Sequence, residues 1–198
     1  MKRKVVAFDF DGTLTRKDSL LLFMKYVFGN DTYYKSILKN LFWIIAYKLK
    51  LYPNWKAKEK LFSTCFRGYN MKELENKGKE FASNHPDLLR KDAIKTLEEH
   101  LSNGNKVYII SASMEVWIKP FFISYPTLIY LTTQPEVING QITGLFASAN
   151  CYGEEKVTRL LKEEPARDEY ILYAYGDSKG DKALLLFADY PYYKTFVE

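Results

Sequence analysis

The chain has 198 residues, of which 47% are hydrophobic, 27% charged and 16% aromatic. Those proportions exclude a disordered chain and leave room for one substantial core with an appendage. The net charge of +5 includes no dense basic block beyond Lys2, Arg3 and Lys4, so nucleic acid is not an expected partner.

Val5, Val6, Ala7 and Phe8 read as a short buried strand running into Asp9, Phe10, Asp11 and Gly12. The apolar run before Asp9 is too short for a signal peptide, and a cytoplasmic location is expected. From residue 18 to 84 the pattern becomes helical. Leu20, Leu21, Phe23, Met24, Val27 and Phe28 mark a first helix, which Gly29 and Asn30 are expected to stop. Further helices are expected over 31–51, 55–66 and 70–84, the last opened by Asn70 and Glu73 as a capping box. The strongest apolar run, 41–47, is far too short to span a membrane.

A helix over 88–101 leads to a strand at 107–110, which runs into Ser111, Ala112 and Ser113. A helix to residue 122, a strand at 127–132 and an Asn139-Gly140 hairpin follow. A helix at 155–163 precedes a strand at 171–175, which runs into Gly176, Asp177 and Ser178. A short helix at 181–187 and a last strand at 192–197 complete the chain. This alternation predicts an α/β fold: a Rossmann-like parallel sheet core with an inserted α-helical cap domain. The core takes residues 1–17 and 86–198, and the cap takes 18–85. Cys65 and Cys151 lack metal-ligand spacing and read as two buried thiols.

Ligands of such sheets gather at the carboxyl ends of the strands. Three of those ends carry polar clusters: Asp9 with Asp11, Ser111 with Ser113, and Asp177 with Asp181. Crowded carboxylates repel and need a cation or a shared proton. An all-oxygen donor set favours a hard ion, and Mg2+ is the usual one in phosphate chemistry. Singly, Asp181 or Ser111 fits a helix cap and Lys156 a solvated helix lysine. Three clusters at three strand ends argue for chemistry instead.

Four stretches in order resemble the motifs of the haloacid dehalogenase (HAD) superfamily. They are Asp9-Phe10-Asp11-Gly12-Thr13-Leu14-Thr15; Ser111 at a strand end; Lys156 after Gly153-Glu154-Glu155; and Gly176-Asp177-Ser178-Lys179-Gly180-Asp181. With a helical segment between the first and second, the chain looks like the branch that contains phosphoserine phosphatase. The resemblance implies an Mg2+-dependent phosphomonoesterase acting on a small phosphorylated metabolite. Asp9 would be the nucleophile that forms an aspartyl-phosphate, and Asp11 the general acid and base. Ser111, the Ala112 N–H and Lys156 would bind phosphate. Asp9, the Asp11 carbonyl and Asp177 would hold the metal, and Asp181 would orient its surroundings. An acid at position 11 argues for a phosphatase over a dehalogenase or an ion pump.

In that branch a Glu and an Arg of the cap bind the substrate. Asp18 stands roughly in the Glu place, and Arg67 is the candidate for the Arg; both also fit helix capping. Phe42, Trp43, Tyr47, Tyr52, Trp55 and Phe62 are expected to form the cap's own core. The other readings are a lipid-like phosphate substrate, a peripheral membrane contact helped by Lys35, Lys39, Lys48 and Lys50, or the face of a homodimer rather than a monomer. A phosphotransferase and a non-catalytic phosphate-binding protein are the alternative functions.

Overall fold

The computed structural model of the protein describes residues 2–196. Strand β1 (Arg3–Phe8) leads through a tight turn to helix α1 (Ser19–Lys39). Helices α2 (Leu41–Lys48), α3 (Asn54–Phe66) and α4 (Met71–Asn84) complete the cap segment. Then come α5 (Lys91–Ser102), β2 (Lys106–Ser111), α6 (Glu115–Ile118), β3 (Ile129–Thr132), β4 (Pro135–Ile138) and β5 (Gln141–Phe146). The chain finishes with α7 (Glu154–Glu163), β6 (Tyr170–Gly176), α8 (Lys182–Phe187) and β7 (Tyr190–Tyr193). Among the described residues no helix is long and apolar enough to cross a membrane.

Five parallel strands form one sheet in the order β3-β2-β1-β6-β7. The fold class read from the sequence is therefore the observed one. Side chains alternate along β1, so Val6 and Phe8 join the larger apolar cluster beneath the cap and α5. Val5 and Ala7 join a smaller one with Leu160 of α7 and Leu184 of α8. The chain moves outward from β1 to β2 and β3, then returns to β6 on the other side. Loops leaving β1 and β6 thus diverge, and a crevice opens between their carboxyl ends.

Several local expectations shift. Gly29 breaks the helical path with φ 75° and ψ 172°, yet α1 resumes at once and continues to Lys39. Asn70 caps α4 by accepting from the N–H groups of Lys72 and Glu73. The last strand starts earlier than expected, at Tyr190, and Val197 lies outside the described residues. The Asn139-Gly140 turn has positive φ at both residues, 51° and 77°, as a type I′ hairpin demands. This hairpin is bound to the cap: Gly68 N–H donates to Ile142 O at 2.7 Å, and Met71 N–H to Gly140 O at 2.9 Å.

The cap's core also differs from expectation. Phe62 is fully buried, but its companions are Phe23, Phe66, Phe81 and Trp117. Phe42, Tyr47 and Trp55 are exposed, and Trp43 and Tyr52 are only half-buried. The reason is layering. Helices α1, α3 and α4 pack around Trp117 of α6, whereas α2 packs chiefly on α1 and α3 and, among the described residues, buries none of its side chains.

At the amino ends of the strands, Glu164 is buried beneath a cluster of donors. Arg3 Nη2 lies 2.5 Å from its Oε2; Tyr108 OH and Lys106 Nζ lie 2.5 and 2.9 Å from its Oε1. Burial alone would raise this carboxyl, but Arg3, Tyr108 and Lys106 outweigh it and hold it at about 2, against an ordinary 4.5. A depressed carboxyl stabilises the fold fully above its unfolded value and loses that contribution as pH falls through the folded one. Glu164→Gln is expected to remove about 1–3 kcal/mol at pH 7, a figure discounted for solvent around Arg3 and Lys106. Urea denaturation should show the gap between the two proteins closing from pH 5 towards pH 2. A gap independent of pH would refute the ionic account.

Candidate active site

Asp9 follows β1 directly, its N–H bonded to Tyr175 O on β6 at 2.9 Å. Residues Phe10–Leu14 then form a wide turn closed by Thr15 N–H to Phe10 O at 3.0 Å. Gly12 has φ 85° within it, and a Cβ there would lie 2.4 Å from Asp177 Oδ2. Both the backbone conformation and the space require glycine, and the absent side chain lets Asp177 approach the turn. Asp177 follows β6 across the crevice from Asp9. Gly176, Asp177 and Ser178 then lead to Asp181, which precedes α8.

Lys156, in the first turn of α7, is buried and bridges two of these acids. Its Nζ lies 2.5 Å from Asp9 Oδ1 and 2.6 Å from Asp181 Oδ1. The other oxygen of Asp181 accepts from the N–H groups of Asp177 and Ser178 and from Ser178 Oγ. Asp9, Asp177 and Asp181 each offer an oxygen within 4.8 Å of the others'. Thr13 Oγ1 sits 3.4 Å from Asp9 Oδ2 and 3.4 Å from Asp177 Oδ1, a long and weak contact to each.

Asp11 faces away from that cluster, towards the cap. Its Oδ1 accepts from Ser19 N–H at 2.6 Å, and its Oδ2 accepts from Ser113 Oγ. Ser19 is itself held by Trp117, whose Nε1–H donates to Ser19 Oγ at 3.0 Å. Ser111 ends β2, and its Oγ accepts from Ser113 N–H at 3.1 Å. The carbonyl of Ala112 accepts from Lys58 Nζ, which reaches across from α3, at 3.0 Å.

Burial raises both neighbouring acids. Burial pushes the Asp9 carboxyl up to about 8, opposed by Lys156 and reinforced by Asp181. Burial also raises Asp11, helped by the charge of Asp18 and resisted by Lys58, Ser113 and Ser19. Asp177 is raised by burial and by Asp181. Asp181 is the exception: burial would raise it, but the Lys156 charge and hydrogen bond hold it below the ordinary range. Lys156 is raised because Asp9 and Asp181 outweigh its desolvation. Raised acids beside one lysine are a site short of positive charge.

Above the acids lies a cavity of about 520 Å³. Asp9, Asp11, Ser111, Ala112, Lys156 and Asp181 border it from the core. Leu20, Leu21, Ile37, Ile44 and Leu61 line it from the cap, with Lys48 and Lys58 as its cap cations. Asp18 borders it too, while capping α1 by accepting from Leu21 N–H at 3.0 Å. Arg67 is not among the lining residues. It closes α3 beside Gly144 of β5, and the cap cation that acts on Asp11 is Lys58 instead.

Residues 6–186 match the haloacid dehalogenase-like hydrolases. The chain belongs to this family. Protein CicA of Caulobacter vibrioides is 33% identical over 194 residues, covering 97% of this chain and 86% of CicA. A protein of unknown function from Bordetella pertussis Tohama I has a similar structure, with TM-score 0.81 and 22% identity over 94% of this chain and 87% of that one. A substrate-bound phosphoserine phosphatase superposes with TM-score 0.64 and 15% identity, covering 95% and 84% of the two chains. The likeness in fold to both structures extends through the helical segment between β1 and β2.

The sequence singled out the acids, Ser111, Ala112 and Lys156 as candidates, and all of them border the crevice or the cavity. It missed Ser19 and Lys58, and gave Ser113 no role of its own. The sequence marks Ser113 with Ser111 at a strand end, but not as the partner of Asp11. Lys58 carried little, because Lys56 and Lys60 flank it and only the phase of α3 selects it.

Proposed function

We propose that this protein is an Mg2+-dependent phosphomonoesterase working through an aspartyl-phosphate on Asp9. The observation that carries the reading is the division between Asp9 and Asp11. Asp9 belongs to the cluster with Lys156, Asp177 and Asp181. Asp11 points the other way, into the cavity wall, held by Ser19 and Ser113. One acid is placed to attack, the other to move a proton.

Asp9 attacks phosphorus, the bond from phosphorus to the ester oxygen breaks, and Asp11 gives its proton to that oxygen. Water then attacks the aspartyl-phosphate, Asp11 takes the water proton, and inorganic phosphate leaves with Asp9 restored. Ser111 Oγ, the Ala112 N–H and Lys156 bind the phosphoryl oxygens. The donor set suits Mg2+: oxygen atoms only, with the Asp9 and Asp177 carboxylates raised by their surroundings and short of a cation. Those carboxylates and the Asp11 carbonyl would hold it. Asp181, already bonded through both oxygens, would orient Lys156 and the turn. When bound, Mg2+ supplies positive charge between an anionic nucleophile and an anionic substrate.

The substrate is a small phosphorylated metabolite. A lipid-like phosphate is the second reading, favoured by the five aliphatic side chains on the cap side of the cavity. The test is inorganic phosphate release across soluble and amphiphilic phosphate esters, with Mg2+ and with chelator. Mg2+-dependent release is expected, falling by at least ~10²-fold in chelator. Release indifferent to chelator, or none from any ester, would overturn the assignment.

A further inference from the structure

Helix α2 has the sequence Leu-Phe-Trp-Ile-Ile-Ala-Tyr-Lys, yet none of its residues is buried. Its outer side and flanks expose Leu38 (71%), Phe42 (69%), Leu49 (64%) and Leu51 (78%), with Leu41 and Ile45 beside them. An apolar patch of this kind on one cap element implies an apolar environment that covers it.

The charge along this stretch of chain is of one sign. Between Asp31 and Glu59 the chain has no acidic residue, while Lys35, Lys39, Lys48, Lys50 and Lys56 are interspersed among the apolar residues. All five are exposed. Rings sit at the border: Trp43 packs against Tyr52 at 4.6 Å, and Lys60 Nζ lies 4.5 Å from the Trp43 ring centre. Apolar side chains at the centre, rings at the margin and lysines around them match the layers of a bilayer surface. The lysines complement anionic headgroups. They argue against a second copy of this chain, which would bring lysine against lysine across a two-fold axis.

The patch is also continuous with the cavity. Ile37, Ile44, Tyr47 and Lys48 line the cavity over the acids, while Leu38, Phe42 and Ile45 on the same helices, and Leu49 just after α2, are exposed. We propose that the α2 face of the cap docks on an anionic lipid bilayer surface, setting the cavity mouth at the level of the headgroups. The helix is too short to span and would lie in the interface plane. Docking of this kind brings an amphiphilic phosphate ester to the cavity without leaving the bilayer; that consequence, unlike the docking, rests on the phosphatase reading.

The test is co-sedimentation of the full chain with vesicles of phosphatidylcholine alone and of phosphatidylcholine mixed with phosphatidylglycerol, at low and high salt. Preference for the anionic vesicles by at least ~10-fold, weakened by salt, is expected. A Leu38→Ser, Phe42→Ser, Leu49→Ser variant and a Lys35→Glu, Lys39→Glu, Lys50→Glu variant should each lose binding, the second by ~10²-fold or more. None of these residues lines the cavity, so turnover of p-nitrophenyl phosphate and the thermal melt should stay at wild-type values. Equal binding to both vesicles, or none, overturns the proposal. So does a concentration-dependent dimer that the serine variant abolishes while vesicle binding persists. Sedimentation needs no turnover, so an inactive enzyme that still binds anionic vesicles would sink the phosphatase reading and leave the docking intact.

Discussion

Asp9→Asn is expected to lower kcat by roughly 10⁴-fold or more while the protein stays folded. The amide has no lone pair of carboxylate strength to offer phosphorus, so the covalent intermediate cannot form. The fold should tolerate the change. A neutral group of the same shape loses the ion pair with Lys156 but leaves no buried charge of its own unpaired. Lys156 keeps its ion pair with Asp181 at 2.6 Å, and the Asp9 N–H bond to Tyr175 belongs to the backbone. Wild-type enzyme quenched in turnover should carry hydroxylamine-labile phosphate on the protein, and the variant should carry none. A kcat within about tenfold of wild type would refute the nucleophile assignment. A variant with a collapsed melting transition would show instead that Asp9 is needed for folding.

Lys156→Met should affect stability and chemistry together. The methionine fits the volume but leaves Asp9 and Asp181 without the cation that pairs them at 2.5 and 2.6 Å. Breaking a buried pair from one side costs about 3–5 kcal/mol, because the remaining charge stays desolvated. The loss should be largest at neutral pH in chelator. It should shrink in acid, where the acids are neutral, and shrink again with millimolar Mg2+ if Asp9 and Asp177 hold the metal. Activity at saturating Mg2+ should fall by ~10²–10³-fold, since the phosphoryl group loses a fixed positive charge. Thermal melts with and without Mg2+ give the first result and steady-state kinetics the second. Unchanged stability in chelator would mean that Lys156 does not neutralise the cluster.

These effects show where the sequence could be read and where it could not. Asp9, Asp11, Asp177 and Asp181 were legible because each stands directly after or close behind a strand, in a motif a few residues long. Gly12 was legible as part of the same motif, but that its missing side chain lets Asp177 approach came only from the fold. The cap residues were harder. Asp18 and Arg67 were chosen by place along the chain, and only Asp18 reaches the cavity. Which lysine of α3 crosses to Ala112 depends on how that helix is rotated over the sheet. That rotation is set by contacts with α1 and the β4–β5 hairpin, which are distant in sequence.

By itself the sequence determined the α/β alternation, the helical insertion and the three polar strand ends, because these rest on local periodicity and on short motifs. The tertiary structure decided that Asp9 and Asp11 face different surroundings although only Phe10 lies between them. The turn at Gly12 and the amino end of α1 aim one acid into the cluster and the other at Ser19 and Ser113. It also decided that the rings of α2 lie outside rather than within the cap. Periodicity marks which face of a helix is apolar, but what covers that face depends on which other helices pack against it.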